Sequence, residues 1–354
     1  MIGWTLDRSQ AWAMGVACGL LFFFIFLMIL SMTHDYQAAI PTDLAGLKAL
    51  HEDQCEHPIH GWVVEVQNTL SNAGYAIAGA LILFRVQTWA GLLYGINLLL
   101  LSVASGLYHA TLDNDLPRTL DVGWVYAVLL SLSAFAAYVH VQAEKPLNVP
   151  WWVWVVSTVG WVVLLVATIG SSHGLIALLC MTVFVVVLTA LCYLAANVLA
   201  ELKYVVIPAL FLGIPLFGVL MRDKGHFNST DVFIILIGLL LIQFLFVFTT
   251  ARSASFPLRW RLLGWELALL VGFLIPGFAF RLLDGYDGDP PNVKEKLLCV
   301  PTSAFQPHAH WHLLGAVALL LSYDLLVQFQ QANLGRKWDQ TVLLPDEAAT
   351  GPEK

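Results

Sequence analysis

Ten apolar stretches of roughly twenty residues or more recur along this 354-residue chain, at about 11–32, 62–86, 90–110, 121–142, 150–170, 173–199, 204–222, 231–251, 260–281 and 308–329. A run of that length crosses the hydrocarbon core of a bilayer as an α-helix. Helices and closed barrels are the spanning structures that satisfy every backbone polar group in lipid. Runs this long and unbroken do not fit the short alternating strands of a membrane barrel. Composition agrees: 59% of residues are hydrophobic and 12% charged, about half the charge of an ordinary soluble domain. Charge so sparse cannot coat a water-facing surface, which excludes a soluble enzyme, a disordered chain and a nucleic-acid binder with a basic face. The sequence predicts an all-α, polytopic integral membrane bundle of about ten transmembrane helices. Its first run reads as an anchor rather than a signal peptide, with little basic charge before it and a poor cleavage site at Ser31-Met32-Thr33.

Lysine and arginine in the loops set the orientation. With the N-terminus in the cytoplasm, ten basic residues fall inside, Arg252, Arg259 and Arg261 being the strongest markers, and seven outside. Both termini are then cytoplasmic. The segments 33–61 and 282–307 become long outer loops, the second rich in acids and both containing prolines. Residues 1–61 read as anchor helix plus outer loop, 62–330 as the main membrane domain, and 331–354 as a cytoplasmic tail. A bacterial inner membrane and an ER or Golgi membrane fit this topology equally.

Of five cysteines, Cys18, Cys180 and Cys192 lie in apolar runs, while Cys55 and Cys299 lie in the two outer loops. An oxidising outer compartment favours a Cys55–Cys299 disulfide; the alternative is two free thiols.

Ionisable groups at the ends of membrane helices are functional candidates. Ser105 and His109 are four apart at the outer end of the third run, on one helix face. Asp121 opens the fourth run. His308 and His312, again four apart, open the tenth, with His310 pointing elsewhere. The topology brings all of these to one depth. Three imidazoles around an open position are a catalytic zinc arrangement, and zinc lowers the pKa of water from about 15.7 to about 7. A carboxylate at Asp121 can move the proton, and Ser105 can donate to an oxyanion. The chemistry that uses these parts is hydrolysis of an amide or ester just inside the bilayer. A further group, Asp53, Glu56 and Glu65, suits a hard cation such as calcium or is a solvated acidic loop. Asn68, Ser71 and Asn72 follow on the second run, as interhelical hydrogen-bonding residues.

The motifs in sequence are Asp53-Gln54-Cys55-Glu56, Glu65-Val-Gln-Asn68-Thr69-Leu-Ser71-Asn72, Ser105-Gly-Leu-Tyr-His109-Ala-Thr111-Leu112, Leu120-Asp121 and His308-Ala309-His310-Trp311-His312. In order and approximate spacing they resemble the alkaline ceramidase family, within the membrane hydrolases that include the adiponectin-receptor-like proteins. The likeness covers roughly 53–145 and 265–325. It implies a zinc amidase that cleaves ceramide to a sphingoid base and a fatty acid. The zinc ligands would be His109, His308 and His312, with Asp121 as base and Ser105 near the oxyanion. It also implies calcium at Asp53, Gln54, Glu56, Pro58 and Glu65, and a Cys55–Cys299 pair.

The chain departs from the family pattern in three ways. The family has seven helices, so the first helix and a hairpin at about 204–251 read as additions to a seven-helix core. Val122 stands where a Glu follows the catalytic Asp, and Pro58 where the family offers an Asn ligand.

The expected partner is a ceramide-like membrane lipid entering laterally between helices, with no nucleic acid and no obligate protein partner. A receptor of the adiponectin-receptor type, with a zinc site and weak hydrolysis, is the main rival. A transporter would need an inverted repeat and broken helices; the run holding Pro208, Gly213 and Pro215 is broken in that way, but its counterpart is not evident.

Overall fold

The computed structural model describes residues 8–33, 55–57, 63–86, 88–112, 116–141, 151–169, 172–197, 203–223, 229–251, 259–287, 292–303 and 305–333. Every apolar run is helical there. The helices are α1 (Arg8–Thr33), α2 (Val66–Ser71), α3 (Ala73–Arg85), α4 (Trp89–Thr111), α5 (Leu116–Val141), α6 (Trp151–Ile169), α7 (Ser172–Asn197), α8 (Lys203–Asp223), α9 (Ser229–Ala251), α10 (Arg259–Leu283) and α11 (Pro307–Asn333). A two-residue ribbon, β1 (Tyr286–Asp287) antiparallel to β2 (Lys294–Glu295), lies between α10 and α11. Among the described residues, six helices are long and apolar enough to cross a membrane: α1, α4, α5, α7, α8 and α11. Shorter apolar stretches occupy Val155–Val166, Asp231–Val247 and Leu270–Leu283.

Helix α5 is the hub, packing against α4, α7, α8, α9 and α11. Its segment Tyr126–Val139 is buried on all sides, as a helix apolar around its whole circumference must be. Small residues, Ser131, Ser133, Ala134, Ala136 and Ala137, allow the neighbours to come close. Near the first turns of α5 the approach is closest. A Cβ on Gly123 would fall 2.8 Å from Val219 Cα of α8, and one on Gly218 would strike the Gly123 carbonyl. The 204–251 stretch, read as an inserted hairpin, makes its main contacts elsewhere than with itself: α8 lies on α5 and α7, and α9 on α5, α6, α7 and α11. Buried faces on both helices bind them to the hub.

Helix α1 packs along α3, and a Cβ on Gly19 would sit 2.6 Å from Ile77 Cα. Its other face exposes Leu21 and Phe24, just as α6, α7 and α8 expose Val166, Val183 and Leu212. Apolar side chains this large facing outward on four helices suit a lipid surround.

The second run is not one continuous helix. The Asn68 carbonyl accepts from Ser71 Oγ at 2.7 Å and from Asn72 Nδ2 at 2.8 Å, while the Asn72 amide turns back to Thr69 O at 3.2 Å. Side-chain donors thus take over a backbone acceptor and break α2 from α3.

Candidate metal centre

Helix α4 ends immediately after its histidine. Leu112 adopts the left-handed region at φ 50°, a conformation costing about 1–2 kcal/mol for a residue with a Cβ, and stops the helix. Two carbonyls of the last turn are then open to partners from outside. The Glu65 amide donates to His109 O at 3.1 Å and the Val64 amide to Ala110 O at 3.0 Å. This pairing of two short backbone segments seats Glu65 against His109: Nδ1 of the histidine lies 2.7 Å from Glu65 Oε2, both side chains being fully buried. Asn68 Nδ2 donates to the same oxygen at 3.1 Å.

Pro307 opens α11 in the position where a missing amide hydrogen costs least. The next two turns place His308 and His312 on one face. Their ring centroids are 4.6 Å apart, and each is 5.0 Å from that of His109. The three rings meet at steep angles of 59°, 62° and 80° rather than stacking. One nitrogen from each lies within 4.8 Å of the others. Tetrahedral coordination at a metal–nitrogen distance of about 2.0–2.1 Å sets ligand nitrogens about 3.4 Å apart, so the donors need only close inward. His310 points away: its Nδ1 lies 2.8 Å from Gln306 O and its ring lies tilted against that of Phe305, with centroids 3.9 Å apart.

The other side of each ring fixes what it can offer. Ser71 Oγ gives its proton to Asn68 O and lies 2.8 Å from His312 Nδ1, so the hydroxyl accepts from that nitrogen. Asp284 Oδ2 lies 3.7 Å from His308 Nδ1. Glu65 holds His109. His109 and His312 turn Nδ1 to a carboxylate and a hydroxyl, which leaves Nε2 to face the shared centre, as in metal-ligating histidines generally; His308 Nδ1, with Asp284 at 3.7 Å, makes no hydrogen bond among the described residues. The donor set fits a divalent metal. Three imidazoles suit zinc, copper, iron or nickel.

Asp121 lies on α5 within electrostatic reach of His109, Arg118 and Arg281, and faces Ser105, whose buried Oγ falls short of a well-formed hydrogen bond. All five residues that the sequence assigned to the hydrolytic chemistry therefore converge at one end of the bundle.

The acidic group fares differently. Glu56 caps α2 from ten residues away, accepting the Gln67 amide at Oε1 (2.7 Å) and the Asn68 amide at Oε2 (2.8 Å). Burial, with Glu65 nearby, pushes its carboxyl up to about 7 against the pull of those two amides. Glu65 serves His109. Asp53, Gln54 and Pro58, the remaining expected calcium ligands, lie outside the described residues. Cys55 and Cys299 are disulfide-bonded, with Cα atoms 5.3 Å apart. The His57 amide donates to Pro301 O at 2.9 Å beside them. Tyr286 of β1 is buried against the pair, two residues from Asp284, whose carboxyl burial pushes up to about 7.

Ser71, expected as an interhelical hydrogen-bonding residue, makes that bond to His312 itself, and Asp284 is a site residue that the motifs did not assign. Asp284 stands in the sequence as one outer-loop acid among several; only its place two residues before a hydrogen-bonded ribbon, close to buried Tyr286, sets it apart. No protein-family model matches this chain, and no curated protein matches it.

Proposed function

We propose that this chain is a membrane-embedded hydrolase of lipid amides, with ceramide or a close relative as substrate, built on a seven-helix core of the alkaline ceramidase plan extended to about ten spans, with both termini cytoplasmic. The observation that carries the reading is the triangle of buried imidazoles, two of them held at Nδ1 by an oxygen within 2.8 Å, standing beside an acid and a serine. Three buried imidazoles on a membrane helix bundle are costly to desolvate unless they bind something. His109, His308 and His312 would hold the metal, for which zinc fits best because three protein ligands leave a position open. A metal there supplies Lewis-acid activation of water and of the scissile carbonyl. Asp121 accepts a proton on its carboxylate and returns it to the leaving amine. Ser105 Oγ donates to the carbonyl oxygen as it becomes negative. Apolar tails lie between helices while the amide meets the centre near the outer surface. Calcium in the loop before α2 belongs to the same plan, held through Asp53, Gln54, Glu56, Pro58 and Glu65; Glu56 and Glu65 already spend oxygens on α2 and on His109.

The test is turnover of a fluorescent ceramide by purified protein. The reading predicts release of labelled fatty acid by the wild type and none by His312→Ala. Equal release by both, or no release from any N-acyl lipid by metal-loaded wild type, contradicts it.

A further inference from the structure

Three arginines from three different helices stand at the metal end of the bundle, and the proposed amide chemistry uses none of them. Arg118 lies in the first turns of α5, Arg222 in the last turn of α8 and Arg281 in the last turns of α10. Two close crossings bring them to one depth. Helices α5 and α8 run antiparallel in backbone contact at Gly123 and Gly218–Val219. Arg118 is five residues from that crossing along α5, and Arg222 three to four residues from it along α8, both toward the metal end. A Cβ on Gly277 of α10 would lie 3.3 Å from the Trp311 ring of α11, and Arg281 is one turn further on. Arg118 is within electrostatic reach of both Arg222 and Arg281, and Arg281 reaches Asp121, His308 and His312.

Arg118 is repelled by both Arg222 and Arg281. The helix dipoles favour Arg222 and Arg281, at C-termini, but oppose Arg118, at an N-terminus. Asp121 offsets part of the charge beside Arg118 and Arg281. Arg222 Nε is buried and makes no hydrogen bond among the described residues. A buried guanidinium nitrogen left in that state is a donor waiting for an acceptor.

We infer that Arg118, Arg222 and Arg281 form a binding site for a phosphate group at the mouth of the metal centre, with the phosphate carried on the polar end of a membrane lipid. Guanidinium forks match phosphate oxygens two at a time, and a phosphate monoester carries close to two negative charges at neutral pH. Resting on the amidase reading, this makes the preferred lipid amide a phosphorylated one rather than a neutral one. The binding site itself does not depend on turnover.

The experiment is therefore a binding titration on the full chain in detergent. The probes are short-chain phosphatidic acid, phosphatidylcholine of the same chain length, and inorganic phosphate, each against wild type, Arg222→Gln, Arg222→Lys and Arg118→Gln. Metal content is measured in parallel. Wild type is expected to bind phosphatidic acid at least about tenfold more tightly than phosphatidylcholine. Arg222→Gln and Arg118→Gln should each lose about tenfold or more, the scale of one charge-assisted hydrogen bond. Arg222→Lys should lose less, and all three variants should keep the wild-type metal content. Inorganic phosphate binding as tightly as the lipid, and lost in the same variants, supports the phosphate site with the free anion as its source. Equal affinity for the two lipids with no phosphate binding, or phosphatidic acid affinity unchanged in both Gln variants, overturns it. A wild type that binds phosphatidic acid but cleaves no N-acyl lipid retains the site while removing the amidase reading.

Discussion

At the scale of single residues, the orientation of three imidazoles decides whether they can share a metal ion. Glu65 acts on His109 as a positioning residue, fixing the ring and its tautomer through a 2.7 Å contact. Glu65→Gln replaces a carboxylate acceptor by an amide and should weaken metal affinity by about 10- to 100-fold. A competition titration against a chromogenic chelator reads that directly; unchanged affinity would deny Glu65 its role. Asp121→Asn separates binding from turnover: metal content should stay at the wild-type level, while hydrolysis falls by about 10²–10⁴-fold. The histidines were legible in the sequence because four-residue spacing and position at helix ends are local facts. The role of Glu65 was not. It depends on the 64–65 backbone pairing with the last turn of α4, a contact between segments 44 residues apart, and no local pattern announces it. Asp284 was illegible for the same reason: its partner His308 is on the far side of the β1–β2 ribbon.

At the scale of elements, close crossings set the depth of every functional side chain. Gly123→Leu places a Cβ and branched methyls against the backbone of α8, where Val219 Cα lies 2.8 Å from the Cβ position. Helices in backbone contact can relieve this only by separating, so the variant should lose roughly 1–3 kcal/mol of stability. It should show a lower Tm in detergent and reduced metal content, since α5 carries Asp121 at this crossing. Wild-type Tm and metal content would show that the crossing does not set the site. The apolar runs declared these helices plainly, because length and absence of charge are the whole requirement for a span. The break at Asn72 stayed hidden within a single long run. It arises from Ser71 and Asn72 turning back on the Asn68 carbonyl, and polar residues in a membrane helix do this or pair across helices with equal ease.

At the scale of the whole molecule, the helices around α5 turn apolar side chains outward, and the three buried imidazoles gather at one end with Glu65 and Asp284. The Cys55–Cys299 bond and the β1–β2 ribbon cover that end. The cysteine pairing was readable because only two cysteines lie outside the apolar runs and both fall in loops assigned to one side. At the opposite end Arg85 pairs with Asp324 at 2.9 Å and lies over the rings of Trp12 and Tyr323, tying α1, α3 and α11 together away from the chemistry. The account rests on a metal at the closed end. The most direct measurement is elemental analysis of the purified chain, with wild type compared with His109→Ala, His308→Ala and His312→Ala, each checked for folding by circular dichroism. The prediction is about one zinc per chain in wild type and a folded, metal-poor protein for each substitution. A folded wild type without bound transition metal under zinc-replete conditions, or three variants that keep the full complement, would contradict it.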